Sequence, residues 1–185
     1  MTDTLAGKLL IAMPGIGDPR FDRSVIIMCE HDAEHAIGIV INRPRDEITL
    51  SDVLGHLGLT AEEVADRIVL DGGPVRPDRG YVLHSEDFAA GDVTQVVGPG
   101  LRLTATRDVL EAVAKEQPPK RFVLALGCAG WGAGQLEDEL RHNAWLVADA
   151  DDAIIFGEEH DDKWVRAIQS LGLEPSQLMG DVGSA

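Results

Sequence analysis

The sequence predicts an α+β fold: one compact domain over residues 1–185, with helices packed on a mixed or mostly antiparallel sheet. Short apolar runs bounded by turn residues fill the first half of the chain, as in strands joined by hairpins. Helical patterns enter only between later strands, so the strict strand–helix alternation of a parallel sheet is missing. The 185 residues are 44% hydrophobic, which suffices for one core, and no linker divides them.

Apolar, often β-branched runs predict the strands. In chain order they are KLLIAM (8–13), SVIIMCEH (24–31), AIGIVINR (36–43), two strands within 68–85, the runs 93–97 and 101–106, RFVLALG (121–127), AWLVAD (144–149) and AIIFG (153–157). Only a short polar gap separates the second run from the third, so these two are predicted to pair as a hairpin.

Apolar spacing and end signals predict the helices, which are 51–59, 60–67, 107–119, 135–143 and 161–172. Thr60 and Glu63 form a capping-box pair at the start of the second helix. Pro118 and Gly172 mark the ends of the third and the last. An ordered core of about 7–173 is predicted, with 174–185 as a loose tail.

The net charge of −16 restricts the classes of partner. So acidic a surface repels nucleic-acid phosphates and anionic lipid, so direct nucleic-acid binding and membrane binding are not expected. The N-terminus has no signal-peptide pattern, and no apolar run approaches the roughly 20 residues of a membrane span. Two cysteines, each beside an apolar run, fit free thiols in a reducing compartment. Together these features predict a cytoplasmic protein.

The segment GCAGWGAGQLEDEL (127–140) resembles a phosphate-binding loop but lacks its chemistry. Ala133 and Gly134 stand where a P-loop needs lysine and a hydroxyl, and the glycine spacing fails the dinucleotide fingerprint. A GxSxG nucleophile elbow is excluded because the loop holds no serine. Cys128 is the remaining candidate nucleophile, and a small buried cysteine is the favoured interpretation. The glycines are predicted to turn the backbone sharply between strand and helix.

A metal site built on Cys29, His31 and His35 lacks a second ligand pair with zinc spacing. No nucleophile–base pair is legible elsewhere in the sequence. We therefore predict no catalytic residues, no metal and no cofactor, and leave open whether any reaction is catalysed.

Several long motifs occur in a fixed order between about Leu9 and Leu173: LIAMPGIGDPRFDRSVIIMCEH, GIVINRP, GGPVRPDRGYVLHS, TRDVLE and GQLEDELRHNAWL. With them the chain resembles the AlgH/YqgE family of bacterial proteins. The resemblance implies a compact α+β domain in the bacterial cytoplasm and no particular reaction. Some members carry a transcriptional-regulator label through a link to alginate production, which need not mean contact with DNA.

Three functions stay open: a binding or regulatory module, a hydrolase-like enzyme of unknown substrate, and a DNA-binding regulator. A DNA reader needs a basic helix, whereas helix 135–143 has one arginine and three acids. A binding module for an unknown protein or small molecule is therefore preferred. The oligomeric state is not predicted.

The candidate binding residues are polar side chains near the ends of predicted strands, where a rigid sheet presents its loops. They are Asp18, Arg23, Glu30, His31, Asn42, Arg79, His84 and Gln135. We predict that several converge on one concave surface. Arg23 and Arg79 are its anion-binding candidates, and His31 or His84 is its candidate proton donor.

Overall fold

A curled sheet with helices on both faces organises the computed structural model, which describes residues 4–60, 67–105, 107–115 and 117–179. The strands are β1 (Lys8–Ala12), β2 (Val25–His31), β3 (His35–Val40), β4 (Pro44–Thr49), β5 (Ile68–Asp71), β6 (Val75–Ser85), β7 (Thr94–Gly98), β8 (Leu101–Thr104), β9 (Phe122–Gly132) and β10 (Trp145–Asp149). The helices are α1 (Leu50–His56), α2 (Arg107–Ala114), α3 (Gln135–Arg141), α4 (Asp152–Phe156), α5 (Lys163–Gln169) and α6 (Pro175–Met179). The predicted α+β class is confirmed.

The sheet order is β10-β1-β2-β3-β9-β6-β8-β7, and every neighbouring pair on this path is antiparallel. β2 and β3 form the predicted hairpin. β5 adds a parallel pairing to β9, and β4 pairs with β5. The sheet is therefore mixed but mostly antiparallel. Within the described ranges, no helix is long and apolar enough to cross a membrane.

The sheet curls because its far strand returns towards β2. Gln95 on β7 donates from Nε2 to the carbonyl oxygen of Cys29 at 3.0 Å. The backbone nitrogen of Gly7, which lies against Val97, donates to the carbonyl oxygen of Met28 at 2.8 Å. These contacts enclose one face of the sheet.

Both faces are buried over residues 9–12 of β1 and 25–29 of β2, which is why these stretches are continuously apolar. Leu9 and Ile11 belong to one core cluster, which also includes Trp164 on α5. Leu10 and Ile26 point to the opposite face, in a second cluster with α3. A third cluster packs α1 and α2 on the outer face of β6 and β9, where the apolar face of α2 is buried as its spacing predicted.

Three local predictions were wrong or incomplete. The run 153–157 belongs to a helix, α4, rather than a strand, because the Asp151 side chain accepts from the Ala153 nitrogen at 2.8 Å and caps the turn. Part of the predicted loose tail forms α6, and Leu178 packs against the core. Strand β4 was missed because it is polar and begins with proline, as sheet-edge strands do. Most of the predicted helix 60–67 lies outside the described residues.

Candidate functional site

Strand β9 extends through most of the glycine-rich segment, so the sharp turn predicted over this whole segment is wrong for its first half. Gly127 has a φ of +81°, and a Cβ there would lie 2.3 Å from the carbonyl oxygen of Gly73. A Cβ on Gly73 would lie 2.3 Å from the carbonyl carbon of Cys128. Only glycine lets two backbones approach so closely. Gly134, with a φ of +73°, does turn the chain into α3 as predicted.

The loop 18–23 is shaped by its own side chains. Asp18 accepts a hydrogen bond from the backbone nitrogen of Arg20 at 3.0 Å, and its carboxylate pairs with the Arg20 guanidinium at 2.9 Å. The side-chain bond from Arg20, followed by the backbone bond, holds the pKa of Asp18 below its usual value. The carboxylate is therefore charged at neutral pH and caps the turn that follows it.

Asn42 and Arg43 fasten this loop to the sheet. Asn42 accepts from the backbone nitrogen of Val25 at 2.9 Å and donates to the carbonyl oxygen of Arg23 at 2.8 Å. Arg43 donates to the carbonyl oxygen of Asp22 at 2.9 Å, and also to the carbonyl oxygens of two further loop residues. The motif that ends β3 therefore orders a loop about twenty positions earlier in the chain.

Three adjoining clefts share Arg43 as a wall, with volumes of about 190, 340 and 580 Å³. We call this surface the Arg43 groove. Its polar lining residues are Arg20, Asp22, Arg23, Asn42, Arg43, Arg45, Asp46, Glu47, Asp71, His160 and Asp161.

One end of the groove rests on α5. The guanidinium of Arg23 lies over the ring of Trp164 at 5.3 Å, and the indole nitrogen donates to the carbonyl oxygen of Ala12 at 2.9 Å. His160 lines the same end. Burial, and then the nearby charge of Lys163, lower the pKa of His160, so its imidazole is neutral at pH 7. This end therefore combines a guanidinium held over a buried aromatic ring with a neutral imidazole.

A second set of predicted residues lies at the other end of β2. The backbone nitrogen of Leu5 donates to Nδ1 of His31 at 3.0 Å. A neutral His31 therefore carries its proton on Nε2, which contacts a carboxylate oxygen of Glu137 at 2.6 Å. Glu30 contacts His35 at 2.9 Å, and Gln135 accepts from a β9 backbone nitrogen. These bonds anchor the N-terminal segment and α3 to the sheet.

His84 is fully buried and its ring is fully bonded. Its Nδ1 lies 2.8 Å from the carbonyl oxygen of Ser85, and its Nε2 lies 2.8 Å from the hydroxyl of Thr104. Burial lowers the pKa of His84, so the ring is neutral with its proton on Nδ1. Arg79 is exposed and lies over the ring of Tyr81 at 5.5 Å.

The structure does not bring the eight predicted residues to one surface. Arg23 and Asn42 line the Arg43 groove, and Asp18 contributes to it through Arg20. His31 is the last residue of β2. It lies six residues from Val25, the first residue of that strand, which corresponds to about 20 Å along a strand.

The two histidines are also separated. His31 aligns through β3 with Trp131 of β9, whereas His84 pairs with Phe122. Those two β9 residues are nine positions apart, which is about 30 Å along a strand. A single site that uses both histidines is therefore excluded, because hydrogen-bond reach is only about 3 Å.

Of the polar groove residues, only Arg23 and Asn42 are among the eight predicted residues; those not predicted include Arg20, Arg45, Asp71 and Asp161. A signal for the two arginines was present, since DPRFDR and NRPR each hold two arginines in a strongly acidic chain. Nothing local marked the two aspartates, which come from a different strand and from the turn before α5.

Both thiols lie in the core. Cys29 and Cys128 are free and buried, and the Cys128 sulfur lies 3.7 Å from the hydroxyl of Tyr81. Burial raises the pKa of Cys29 far above its usual value. Cys128 is therefore the small buried cysteine that the sequence favoured. Among the described residues, no group of three or more histidine, cysteine or acidic side chains is placed to hold a metal ion.

Comparisons with known proteins find one family and similar proteins over most of the chain. The family described as DUF179, AlgH-like, matches residues 9–176. A UPF0301 protein of Caulobacter vibrioides is 48% identical over 183 residues, covering 98% of this chain and 94% of the relative. A UPF0301 protein of Methylocella silvestris is 47% identical over 189 residues, covering 98% of this chain and 92% of the relative.

Two solved structures share the fold. The solution structure of the AlgH protein from Pseudomonas aeruginosa superposes with a TM-score of 0.80 at 38% identity, with both chains fully covered. A crystal structure of a Corynebacterium diphtheriae protein gives a TM-score of 0.73 at 20% identity, covering 91% of this chain and 87% of the other. The second likeness concerns the fold alone.

Proposed function

The chain belongs to the AlgH-like family, and from that premise we propose that it is a binding or regulatory module whose ligand occupies the Arg43 groove. The observation that carries this proposal is the fastening of loop 18–23 by Asn42 and Arg43. A groove that is already ordered loses little conformational entropy when a ligand binds. More of the interaction energy with the ligand therefore contributes to affinity.

Two arginines of the groove that form no ion pair within the described part of the chain support a polar ligand with an anionic group. Within the described ranges, Arg23 and Arg43 lie within ion-pair distance of no carboxylate. Arg43 donates to carbonyl oxygens instead, which orient its guanidinium but do not cancel its charge. The groove lining as a whole holds four arginines and five acidic residues, so it favours an anionic group at these two arginines rather than a uniformly anionic ligand.

The size of the clefts supports a small molecule or a short peptide segment of a protein partner. The largest measures about 580 Å³, within the roughly 300–1,000 Å³ typical of small-molecule pockets. The buried free thiols fit a reducing compartment, so we place this binding in the cytoplasm.

Regulation by direct contact with DNA is not part of the proposal. The chain carries a net charge of −16, and the first turn of α3 holds Glu137 and Asp138. Non-specific affinity for DNA comes mainly from neutralisation of phosphates by lysine and arginine. We expect no saturable, sequence-dependent gel shift at submicromolar protein, and such a shift would revive the regulator function.

The test compares three immobilised proteins in a cytoplasmic extract: wild type, Arg45→Gln and Arg121→Gln. Arg45 lines two of the three clefts, whereas Arg121 pairs with Asp152 outside the groove. Both variants lose one positive charge, so a general charge effect is matched. Mass spectrometry identifies the proteins and small molecules that each variant retains.

We expect wild type and Arg121→Gln to retain a ligand that Arg45→Gln loses. A ¹⁵N-labelled sample titrated with that ligand should shift amide signals of loop 18–23 and of residues 42–45. Retention of identical molecules by all three proteins would exclude the groove as the binding surface, as would amide shifts confined to the opposite end of β2.

A further inference from the structure

In the smallest cleft of the Arg43 groove, arginines outnumber acidic residues in the lining. This cleft measures about 190 Å³ and lies between loop 18–23, the turn from β3 to β4, and the segment 73–77. That volume is below the roughly 300–1,000 Å³ of pockets that enclose a whole drug-sized molecule. It therefore suits one charged group of a ligand rather than the whole ligand.

Three arginines and one aspartate line this cleft, which we call the arginine cleft. They are Arg20, Arg43, Arg45 and Asp71. The carboxylates of Asp18 and Glu47 pair with Arg20 and Arg45 beside the cleft, whereas Arg43 forms no ion pair with a described carboxylate. The whole chain, with 16 basic and 32 acidic residues, carries −16. The arginine cleft thus concentrates three guanidinium groups on a protein of strongly negative net charge.

Existing contacts hold the three guanidinium groups in place but do not occupy all of their N–H donors. Arg43 is fixed by carbonyl oxygens of the loop. Arg20 pairs with Asp18 at 2.9 Å, and Arg45 lies 3.5 Å from Glu47 with its side chain 28% exposed. A guanidinium carries five N–H donors, so each retains donors for a ligand. Asp71 accepts from the backbone nitrogen of Gly73 at 3.3 Å.

We propose that the arginine cleft binds a phosphate monoester group through Arg20, Arg43 and Arg45. A phosphate monoester offers three free acceptor oxygens, one for each of the three arginines, and carries about −1.5 to −2 at neutral pH. A carboxylate or a phosphate diester offers only two such oxygens and a single negative charge. Guanidinium forks also match the oxygen geometry of phosphate in bidentate pairs.

This inference rests on the proposed function, since it names the chemistry that the Arg43 groove recognises. Two sources carry the same group: a small phosphorylated molecule, and a phosphorylated side chain of a protein partner. In both cases the phosphate fills the arginine cleft, and the rest of the ligand extends into the neighbouring clefts along Asn42 and Trp164.

The experiment is an isothermal titration of the full chain with inorganic phosphate, glycerol phosphate, a phosphoserine peptide and dimethyl phosphate. Five proteins are compared: wild type, Arg45→Gln, Arg20→Gln, Asp71→Asn and the matched control Arg121→Gln. Arg20→Gln is expected to fold, because the backbone bond that caps its turn does not depend on its side chain. Circular dichroism checks that each variant is folded.

We expect Arg45→Gln to weaken binding of the monoesters by about tenfold or more, as loss of a charge-assisted hydrogen bond does. Asp71→Asn should strengthen binding, because it removes the opposing charge and keeps the oxygen that accepts from Gly73. Arg121→Gln should bind like wild type, and the diester should bind more weakly than the monoesters. The peptide and glycerol phosphate arms show which source binds more tightly.

Equal affinity of all folded variants for phosphate would overturn the inference, and so would weaker binding by Asp71→Asn. The two proposals fail separately. A captured ligand that depends on Arg45 but resists competition by phosphate leaves the proposed function standing and refutes the phosphate inference. If neither retention of the captured ligand nor binding of phosphate depends on Arg45, both proposals are refuted.

Discussion

Lys163 provides a direct test of the packing around the groove. Its side chain is 1% exposed, and its ammonium donates to the carbonyl oxygens of Ile41 at 2.8 Å and Ile155 at 3.2 Å. No carboxylate of the described residues lies within ion-pair distance of it. Burial lowers the pKa of Lys163 from 10.5 to about 8. At one pKa unit per 1.36 kcal/mol, the buried charge costs about 3 kcal/mol of folding free energy at pH 7.

The pH dependence follows from the direction of that change. Between pH 8 and 10.5 the folded protein has released the proton and the unfolded chain still binds it. Stability rises with pH wherever the unfolded state binds more protons, so Lys163 contributes a rise of about 2.5 kcal/mol between pH 7 and pH 10. Lys163→Met keeps the aliphatic packing and removes this rise. Its loss of two hydrogen bonds costs about 1 kcal/mol each at any pH.

The assay is urea unfolding at pH 7 and pH 10, followed by tryptophan fluorescence. We expect Lys163→Met to be at least as stable as wild type at pH 7. Between pH 7 and pH 10, its free energy of unfolding should decrease relative to that of wild type by about 2.5 kcal/mol. Titrating groups that do not interact with the charge of Lys163 affect both proteins equally and cancel in the difference. A stability difference that stays constant between the two pH values would refute the assignment of a buried charge to Lys163.

Two further predictions concern the core. Cys29 and Cys128 are buried, so their alkylation requires opening of the core. At pH 7 it should be slower in the folded protein than in urea by on the order of 1,000-fold. Rapid stoichiometric labelling of Cys128 would contradict this. Gly73→Ala should cost about 3 kcal/mol or more, because the new Cβ meets backbone. Gly15→Ala, with a φ of +79° and open space around it, should cost only about 1 kcal/mol; equal melting temperatures for the two variants would contradict the close crossing.

Much of the fold could be predicted because it is encoded locally. The runs that predicted β1 and β2 are continuously apolar because both faces of these stretches are covered by other parts of the protein. Helix α2 was placed by its spacing, and the hairpin of β2 and β3 by the shortness of the gap between them. Where local patterns are ambiguous the prediction failed: a four-residue apolar run in α4 is too short to distinguish a strand from a helix.

The sequence by itself determined the fold class, the acidic charge and the family motifs. Only the tertiary structure decided that Arg20, Arg43 and Arg45 share a cleft with Asp71 and that His31 and His84 do not share a site. The reason is physical: the cleft joins a loop, a strand connection and a glycine crossing that are distant in the chain. Their approach depends on the order and curl of the sheet, for which no local pattern of side chains provides a signal.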